Sequence, residues 1–452
     1  MKKRLLSIWT GEGLKARVLR GSALTVISFG GANALRLAGN LVLTRLLFPE
    51  AFGLMALVQV FVSGLHMFSD LGIRVSIIQN KRGDDPDFLN TAWTLQIIRG
   101  VVLWLAGCAL AFPAAWFYDE PLLAQMLPVA SLNALILGFV TTKMATASRH
   151  LMLGRLTAVE LGTQAIGIIV MIILSYFFRS VWVLVAGGLI STTLRVWLWG
   201  KTLPGITNRL HWEPEAFREL IGFGKYIFLS TIAGFLINQS DRAVLGAYIS
   251  MAALGIYNVG FFLGTVPVLL NRAAINKVIL PVYRMRPTTE GEQNRTQVFR
   301  TRRLLIAGTL AMAMVLAYIG VPLVWFLYDD RYHLAGAVVV LFSLTVVPQL
   351  VLDGYASVLL AAGDSRRFLI LVASTALLQL AYLFIGISWL GIFGAIFAPG
   401  LAILSTYPLR IAYARRYNAW DPKADLGFLA LGLAVNGLAV WLHWDEIVKL
   451  IS

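Results

Sequence analysis

The chain has 452 residues, of which 58% are hydrophobic and only 13% are charged, and its formal net charge is +15. This composition is far more apolar than that of a soluble globular domain and excludes one. The single cysteine, Cys108, excludes a disulfide framework and a Cys-x-x-Cys metal site.

Apolar runs long enough to span a membrane, about 20 residues each, recur along the whole chain. They predict an all-α polytopic membrane protein. The first run follows a basic segment, as in a signal peptide, but it is too long and lacks a small-x-small cleavage site, so we expect a retained span. The predicted spans are 22–46, 52–72, 91–116, 123–142, 158–178, 180–200, 220–249, 253–271, 304–328, 334–361, 368–388, 390–409 and 426–444.

Lysine and arginine are distributed unevenly between the two sets of connecting segments. One set carries most of them, and the other carries only Arg45, Arg179, Arg331 and Lys449. Because basic residues concentrate in cytoplasmic loops, the N-terminus is predicted to be cytoplasmic. The positive charge then reflects membrane topology, and no nucleic-acid partner is expected.

The two halves of the chain resemble each other. The sequence AFGLMALVQVF (51–61) is similar to ALGIYNVGFFL (253–263), and SLNALILGFV (131–140) takes the place that SLTVVPQLVL (343–352) takes later. Each offset steps over six spans, an even number, so the halves should share one orientation. The prediction is two parallel-repeat six-helix lobes around a central cavity plus one extra C-terminal transmembrane helix. The expected divisions are a basic segment 1–21, a lobe 22–200, a linker 201–219, a lobe 220–413 and an extra helix 414–452.

Motifs for enzymatic chemistry are missing from the sequence. There is no G-x-x-x-x-G-K-[ST], G-x-S-x-G or H-E-x-x-H motif, and the five histidines lack metal-ligand spacing. The acids of one outer loop, Asp329 and Asp330, are better explained as solvated. We therefore expect a protein that moves a substrate, without enzymatic activity and without a cofactor.

Polar side chains at membrane depth are the candidate site residues. Arg36 lies near the middle of the first span, and Asn33 and Asn40 flank it at i−3 and i+4 on one helix face. We interpret this face as lining a cavity, with a structural ion pair as the alternative for Arg36. Arg99, beside Gln96 in the third span, is a further candidate, for which extension to the cytoplasmic interface is an equal alternative.

The seventh span contains the sequence NQSDR at 238–242. Asn238 and Arg242 share a face at i, i+4, whereas Asp241 points about 100° away from Arg242, towards a partner helix. The repeat offset sets Asn238 opposite Arg36. Each lobe would then contribute one arginine and one asparagine, and two cationic patches facing each other suit an anionic ligand.

Acidic residues at membrane depth are candidates for ion coupling. Asp241 in the seventh span and Asp353 in the tenth belong to this class. Glu160 is added to it, although its position near a cytoplasmic end also fits a solvated side chain.

The stretch LTRLLFPEAFGLMALVQVFVSGLHMFSDLGIRVSIIQN (43–80) resembles Wzx-like polysaccharide and oligosaccharide flippases, in the superfamily that includes MATE exporters and the MurJ lipid II flippase. The second half is similar at 238–263 and at NRAAINKVILPVYRMR (271–286), and the resemblance extends over spans one to twelve. It implies two six-helix lobes, alternating access and coupling to an ion gradient. Many relatives have two further helices, so the role of helix 426–444 stays open.

The resemblance implies translocation of an undecaprenyl-pyrophosphate-linked oligosaccharide across the bacterial inner membrane for surface polysaccharide biosynthesis. The expected partners are this lipid-linked oligosaccharide, membrane lipids, and polysaccharide polymerase and export proteins. A MATE-like exporter of a cationic small molecule is the main alternative, and it would require an acidic cavity. A membrane-embedded glycosyltransferase or polymerase would require an acidic cluster in an outer loop.

Overall fold

A computed structural model of the protein describes residues 14–69, 72–150 and 152–450, and within these ranges it forms helices and no strand. The first thirteen residues of the predicted basic segment 1–21 lie outside the described residues. Each of the thirteen predicted spans coincides with one helix or with consecutive helices. The all-helical fold predicted from the apolar runs is confirmed.

The helices of the first half are α1 Leu14–Leu46, α2 Pro49–Phe68, α3 Ile73–Gln79, α4 Pro86–Phe117, α5 Leu122–Gly138, α6 Lys143–Arg149, α7 Leu153–Phe178 and α8 Trp182–Thr202. Those of the second half are α9 Pro214–Leu245, α10 Met251–Gly264, α11 Val266–Ala274, α12 Leu280–Met285, α13 Glu292–Leu327, α14 Ala335–Thr345, α15 Val347–Leu352, α16 Gly354–Ala361, α17 Ser365–Leu390, α18 Ile392–Ser405, α19 Tyr407–Arg416, α20 Pro422–Leu442 and α21 Trp444–Val448. A π-helical turn, Ile275–Ile279, joins α11 to α12.

Nine helical stretches of the described residues are long and apolar enough to cross a membrane, or eleven if two bent pairs each count as one span. Large apolar side chains are exposed on these helices, which would be costly in water but not in lipid. Trp116, Trp389 and Trp441, which are 86%, 83% and 70% exposed, lie within one residue of the ends of their helices. This is the position of an interfacial aromatic belt. The chain is a multi-pass membrane protein.

The chain divides by its internal contacts into two units. The first contains residues up to Leu47 and Val58–Ile232, and the second contains Phe48–Leu57 and the residues from Ala233 onward. Thus the first turns of α2 pack in the second unit.

Within the second unit, the first turns of α2 and α10 cross at backbone contact. A Cβ atom on Gly53 would lie 1.9 Å from the carbonyl oxygen of Met251, and one on Gly255 would lie 1.9 Å from that of Pro49. Gly53 and Gly255 are separated by 202 residues, and so are Pro49 and Met251. The contact is therefore symmetric between repeat-related segments, as expected for repeats related by a twofold axis.

A second interaction recurs in the two units. In the first, Gln164 of α7 donates a hydrogen bond from Nε2 to the carbonyl oxygen of Ala32 on α1 at 2.8 Å. In the second, Gln379 of α17 donates from Nε2 to the carbonyl oxygen of Ile237 on α9 at 3.0 Å. A glutamine thus joins the first helix of each sequence repeat to a later helix of the same unit, which supports the duplication inferred from sequence.

The extra helix α20 packs against α13, α14 and α15. Its fully buried Asp425 accepts a hydrogen bond from Arg302 of α13 at 2.6 Å and another from the Tyr407 hydroxyl at 3.0 Å. Further along, Asn436 donates to the carbonyl oxygen of Ser343 at 2.6 Å. A buried charge needs its partner, so these contacts make α20 an integral part of the second unit.

Candidate functional site

The polar residues of α1 lie on one side of the helix. Gly39 packs against α7, where an added Cβ would lie 2.8 Å from Cγ2 of Ile168. At about 100° per residue, Arg36 lies about 60° from Gly39 around the helix, and Asn40 and Asn33 lie about 100° and 120° from it on the same side. The Arg36 side chain is exposed and makes no hydrogen bond or ion pair with the described residues. Its guanidinium is therefore free to bind an anion.

Arg99 has a different setting in the first unit. Its Nε donates to the Ser69 hydroxyl at 3.0 Å, and its Nη2 donates to the carbonyl oxygen of His66 at 2.8 Å. These acceptors lie at the C-terminal end of α2, where carbonyl groups lack intrahelical partners. The guanidinium of Arg99 is thus engaged in capping a helix.

In the second unit, Asn238 belongs to a group of four residues that we name the Arg272 cluster: Asn238, Arg272, Asp353 and Arg410. Arg272 donates from Nη1 to Oδ1 of Asn238 at 2.9 Å, and its Nε lies 3.8 Å from Oδ2 of Asp353. Arg410 lies 3.8 Å from the other carboxylate oxygen of Asp353. One carboxylate therefore faces two guanidinium groups.

The two arginines of the Arg272 cluster differ in burial and in how firmly hydrogen bonds hold them. Arg410 is buried and is held by the carbonyl oxygen of Leu352 at 3.0 Å and the hydroxyl of Thr406 at 3.3 Å. The Arg272 side chain is 40% exposed, and its contact with Asp353 is long for a charge-assisted hydrogen bond. The cluster has one more positive than negative charge, and Arg272 is the arginine that can offer its guanidinium to a ligand.

The charged residues of the seventh predicted span have separate partners. The buried Asp241 accepts a hydrogen bond from the Tyr257 hydroxyl at 2.7 Å, so it faces α10 as expected. Arg242 lies over the Phe261 ring at 4.1 Å from its centroid and donates to Oε1 of Gln239 at 3.2 Å. Asn238 and Arg242 share a helix face, but of the two only Asn238 is hydrogen-bonded to Arg272.

The remaining acidic candidates lie outside the Arg272 cluster. Glu160 on α7 is exposed and accepts a hydrogen bond from the Ser28 hydroxyl at 3.3 Å. In the loop before α14, Asp329 accepts hydrogen bonds from the backbone and side chain of Arg331, which lower the pKa of the Asp329 carboxyl below its ordinary value. Asp329 is thus an ion-paired loop residue, and Asp330 is almost fully exposed.

Sequence reasoning missed Arg272 and Arg410 as site residues. It assigned both to cytoplasmic segments, because the predicted spans ended at 271 and 409. In the structure, helical backbone continues from α11 through the π-helical turn to Met285 and along α19 to Arg416. The apolar residues of the sequence VILPV (278–282) were the signal that the first of these helices extends further.

A sequence profile of a family described as "Polysaccharide biosynthesis protein" matches residues 42–336. The chain is 22% identical over 271 residues to the lipopolysaccharide biosynthesis protein WzxC of Escherichia coli K12, covering 60% of this chain and 55% of that protein. It is 22% identical over 267 residues to the amylovoran biosynthesis protein AmsL of Erwinia amylovora, covering 56% and 66%. The chain thus spans less than two thirds of the length of these relatives.

Among solved structures, the lipid II flippase MurJ in an inward closed conformation is similar over 96% of both chains, with a TM-score of 0.73 and 14% sequence identity. At this identity the similarity concerns the fold alone. It confirms the all-helical, MurJ-like fold that the sequence resemblance implied.

Proposed function

Because the chain belongs to the family of polysaccharide biosynthesis proteins, we propose that it flips a lipid-linked oligosaccharide across a membrane. The substrate is a repeat unit carried on undecaprenyl pyrophosphate, and the membrane is the inner membrane of a bacterium. The distribution of lysine and arginine supports a cytoplasmic N-terminus. Flipping, rather than synthesis of the oligosaccharide, is the proposed activity.

The observation that carries this proposal is the Arg272 cluster. A pyrophosphate is a compact polyanion, and guanidinium groups bind phosphate oxygens through paired hydrogen bonds. Arg272 is oriented by Asn238 and is only loosely paired with Asp353. It can therefore turn to the pyrophosphate while Asp353 keeps Arg410 as its counter-ion.

In the first unit, Arg36 is a second group proposed to bind the pyrophosphate. Arg36 is exposed and makes no contact with the described residues that binding would have to break. Asn33 and Asn40 add amide groups on the same helix face. Arg99 supports the site indirectly, because it holds the end of α2. Arg242 adds a positive charge on the helix face of α9 that also carries Asn238.

Asp353 is the proposed coupling residue. When the substrate draws Arg272 away, Asp353 loses one of its two positive neighbours, and its carboxylate becomes available to a cation of the gradient. Substrate binding and ion binding then favour each other. Asp241 and Glu160 remain alternative coupling residues, because both are acids on helices of the two units.

The charges of these residues disfavour the export of a cation. The Arg272 cluster contains two arginines and one acid, and the polar face of α1 contains an arginine and no acid. A cation would be repelled by this excess of positive charge unless further acids joined the site.

Deletion of the gene from its host tests the proposal. We expect surface polysaccharide to be lost while complete lipid-linked repeat units accumulate on the cytoplasmic leaflet. Incomplete repeat units would contradict flipping and favour a glycosyltransferase. Normal surface polysaccharide together with new sensitivity to cationic drugs would favour an exporter.

A further inference from the structure

The first unit contains a cavity of about 300 Å³ that none of the candidate site residues lines. It lies beside the bend between α5 and α6 and the C-terminal part of α8. Its polar lining consists of Arg74, Gln96, Thr141, Thr142, Arg195 and Trp199. This volume is at the lower end of the range of small-ligand pockets, roughly 300–1,000 Å³.

Two buried donors on α8 lack hydrogen-bond partners among the described residues. They are Nε of Arg195 and the indole Nε1 of Trp199. Trp199 is only 9% exposed, and the Arg195 guanidinium lies 5.5 Å from its ring centroid. Leaving such donors unsatisfied is costly, and a ligand that supplies acceptor oxygens would relieve the cost.

Other residues of the cavity lining are fixed by hydrogen bonds. Gln96 of α4 donates from Nε2 to the carbonyl oxygens of Leu137 and Val140 at 3.0 and 3.2 Å. Asn208 of the segment between α8 and α9 contacts Thr141 and Thr142 through side-chain and backbone hydrogen bonds. The cavity is therefore held open by contacts that do not use the two unpaired donors.

The charge of the cavity lining is positive, and within the described ranges no acidic residue of the lining compensates it. The lining includes Arg74 and Arg195 and no acidic residue. Among the residues that the structure describes, Arg74 makes a long contact, 3.4 Å, with the Ser148 hydroxyl and no other hydrogen bond. Glu160 interacts electrostatically with Arg195, but no carboxylate of the described residues lies within ion-pair distance of it. An anion is the ligand that fits two arginines and an indole N–H.

We propose that this cavity is a phosphate-binding site in the first unit, with Arg195 and Arg74 as charge partners and Trp199 as an additional donor. The phosphate oxygens can belong to the headgroup of an anionic membrane lipid or to a pyrophosphate-linked lipid. The site is distinct from the Arg272 cluster of the proposed function and does not depend on it.

Binding to the purified full-length protein in neutral detergent tests this site. The Arg36→Gln/Arg272→Gln background removes both arginines proposed above to bind pyrophosphate, so that the new site is measured. Inorganic pyrophosphate is titrated by calorimetry, and retention of phosphatidylglycerol is followed by native mass spectrometry. The variants are Arg195→Gln and Trp199→Phe. The control is Arg155→Gln, because Arg155 is exposed and, in the described part of the chain, its side chain hydrogen-bonds only to the carbonyl oxygen of Thr202.

We expect at least tenfold weaker binding of one probe in Arg195→Gln, a smaller loss in Trp199→Phe and no change in Arg155→Gln. Loss confined to pyrophosphate assigns the site to a pyrophosphate headgroup, and loss confined to phosphatidylglycerol assigns it to a membrane lipid. Equal binding of both probes by all the variants overturns the proposal. Because Trp199→Phe keeps both charges and an aromatic ring while it removes the indole N–H, it provides the test if Arg195→Gln fails to fold.

Discussion

Gly53 and Gly255 occupy equivalent positions in the two sequence repeats, and each one makes room for the backbone of the other's helix. The backbone nitrogen of each glycine lies 3.1 Å from where a Cβ on the other would be. The close crossing of α2 and α10 therefore requires the lack of a side chain at both positions.

Substitution of either glycine by alanine should disturb this crossing to the same extent. Gly53→Ala and Gly255→Ala each place a methyl group against a carbonyl oxygen, so we expect a loss of at least the roughly 1–3 kcal/mol typical of overpacking. The measurement is thermal unfolding in detergent. The control is Gly308→Ala on α13, where an added Cβ meets nothing within 4 Å. Equal melting temperatures for all three variants would refute the symmetric contact.

Arg272→Gln should reduce surface polysaccharide export by about tenfold or more, because the glutamine removes the guanidinium charge proposed to bind pyrophosphate. Arg272→Lys should retain part of the export, since the charge remains and only the paired hydrogen bonds are lost. Arg286→Gln, at an exposed position after α12, is the matched control. Full export by Arg272→Gln at normal protein abundance would exclude Arg272 from the site.

Asp353→Asn should remove the dependence of transport on an ion gradient. The amide cannot exchange a proton or hold a sodium ion by charge, although its carbonyl oxygen keeps a polar acceptor beside Arg272 and Arg410. The measurement compares flipping in vesicles with and without an imposed proton or sodium gradient. Glu160→Gln should keep the gradient dependence, because Glu160 is exposed and bonded only to Ser28 among the described residues. The reverse pattern would assign coupling to Glu160.

Asp425→Asn should lower the stability of the protein by about 3–5 kcal/mol, because it leaves Arg302 as an unpaired buried cation. The double variant Arg302→Met with Asp425→Asn should recover most of this loss, since no buried charge remains. Arg303→Gln is the comparison: Arg303 is 49% exposed although its partner Asp421 is only 5% exposed, so this loss should be smaller than that of Asp425→Asn. A double variant no more stable than Asp425→Asn alone would contradict this account.

The helices could be predicted from the sequence because runs of apolar residues report directly on membrane spans. The candidate site could be predicted only in part. Asn238 was evident as a polar residue inside an apolar run, whereas Arg272 lies at the end of one, where a cation is usually solvated. Arg302 was placed in a cytoplasmic segment for the same reason. Its partner Asp425 is 123 residues away, and pairing across that distance is a tertiary property.

This separation also has a consequence for biogenesis. At roughly 5–20 residues per second of synthesis, Arg302 precedes Asp425 by about 6–25 s. During that interval a nascent chain carries a cation at a position that the finished protein buries. A chain halted before Pro422 never neutralises it, and we expect the cell's quality control to degrade such chains. The second unit is therefore complete only after α20 has been inserted and Asp425 has paired with Arg302.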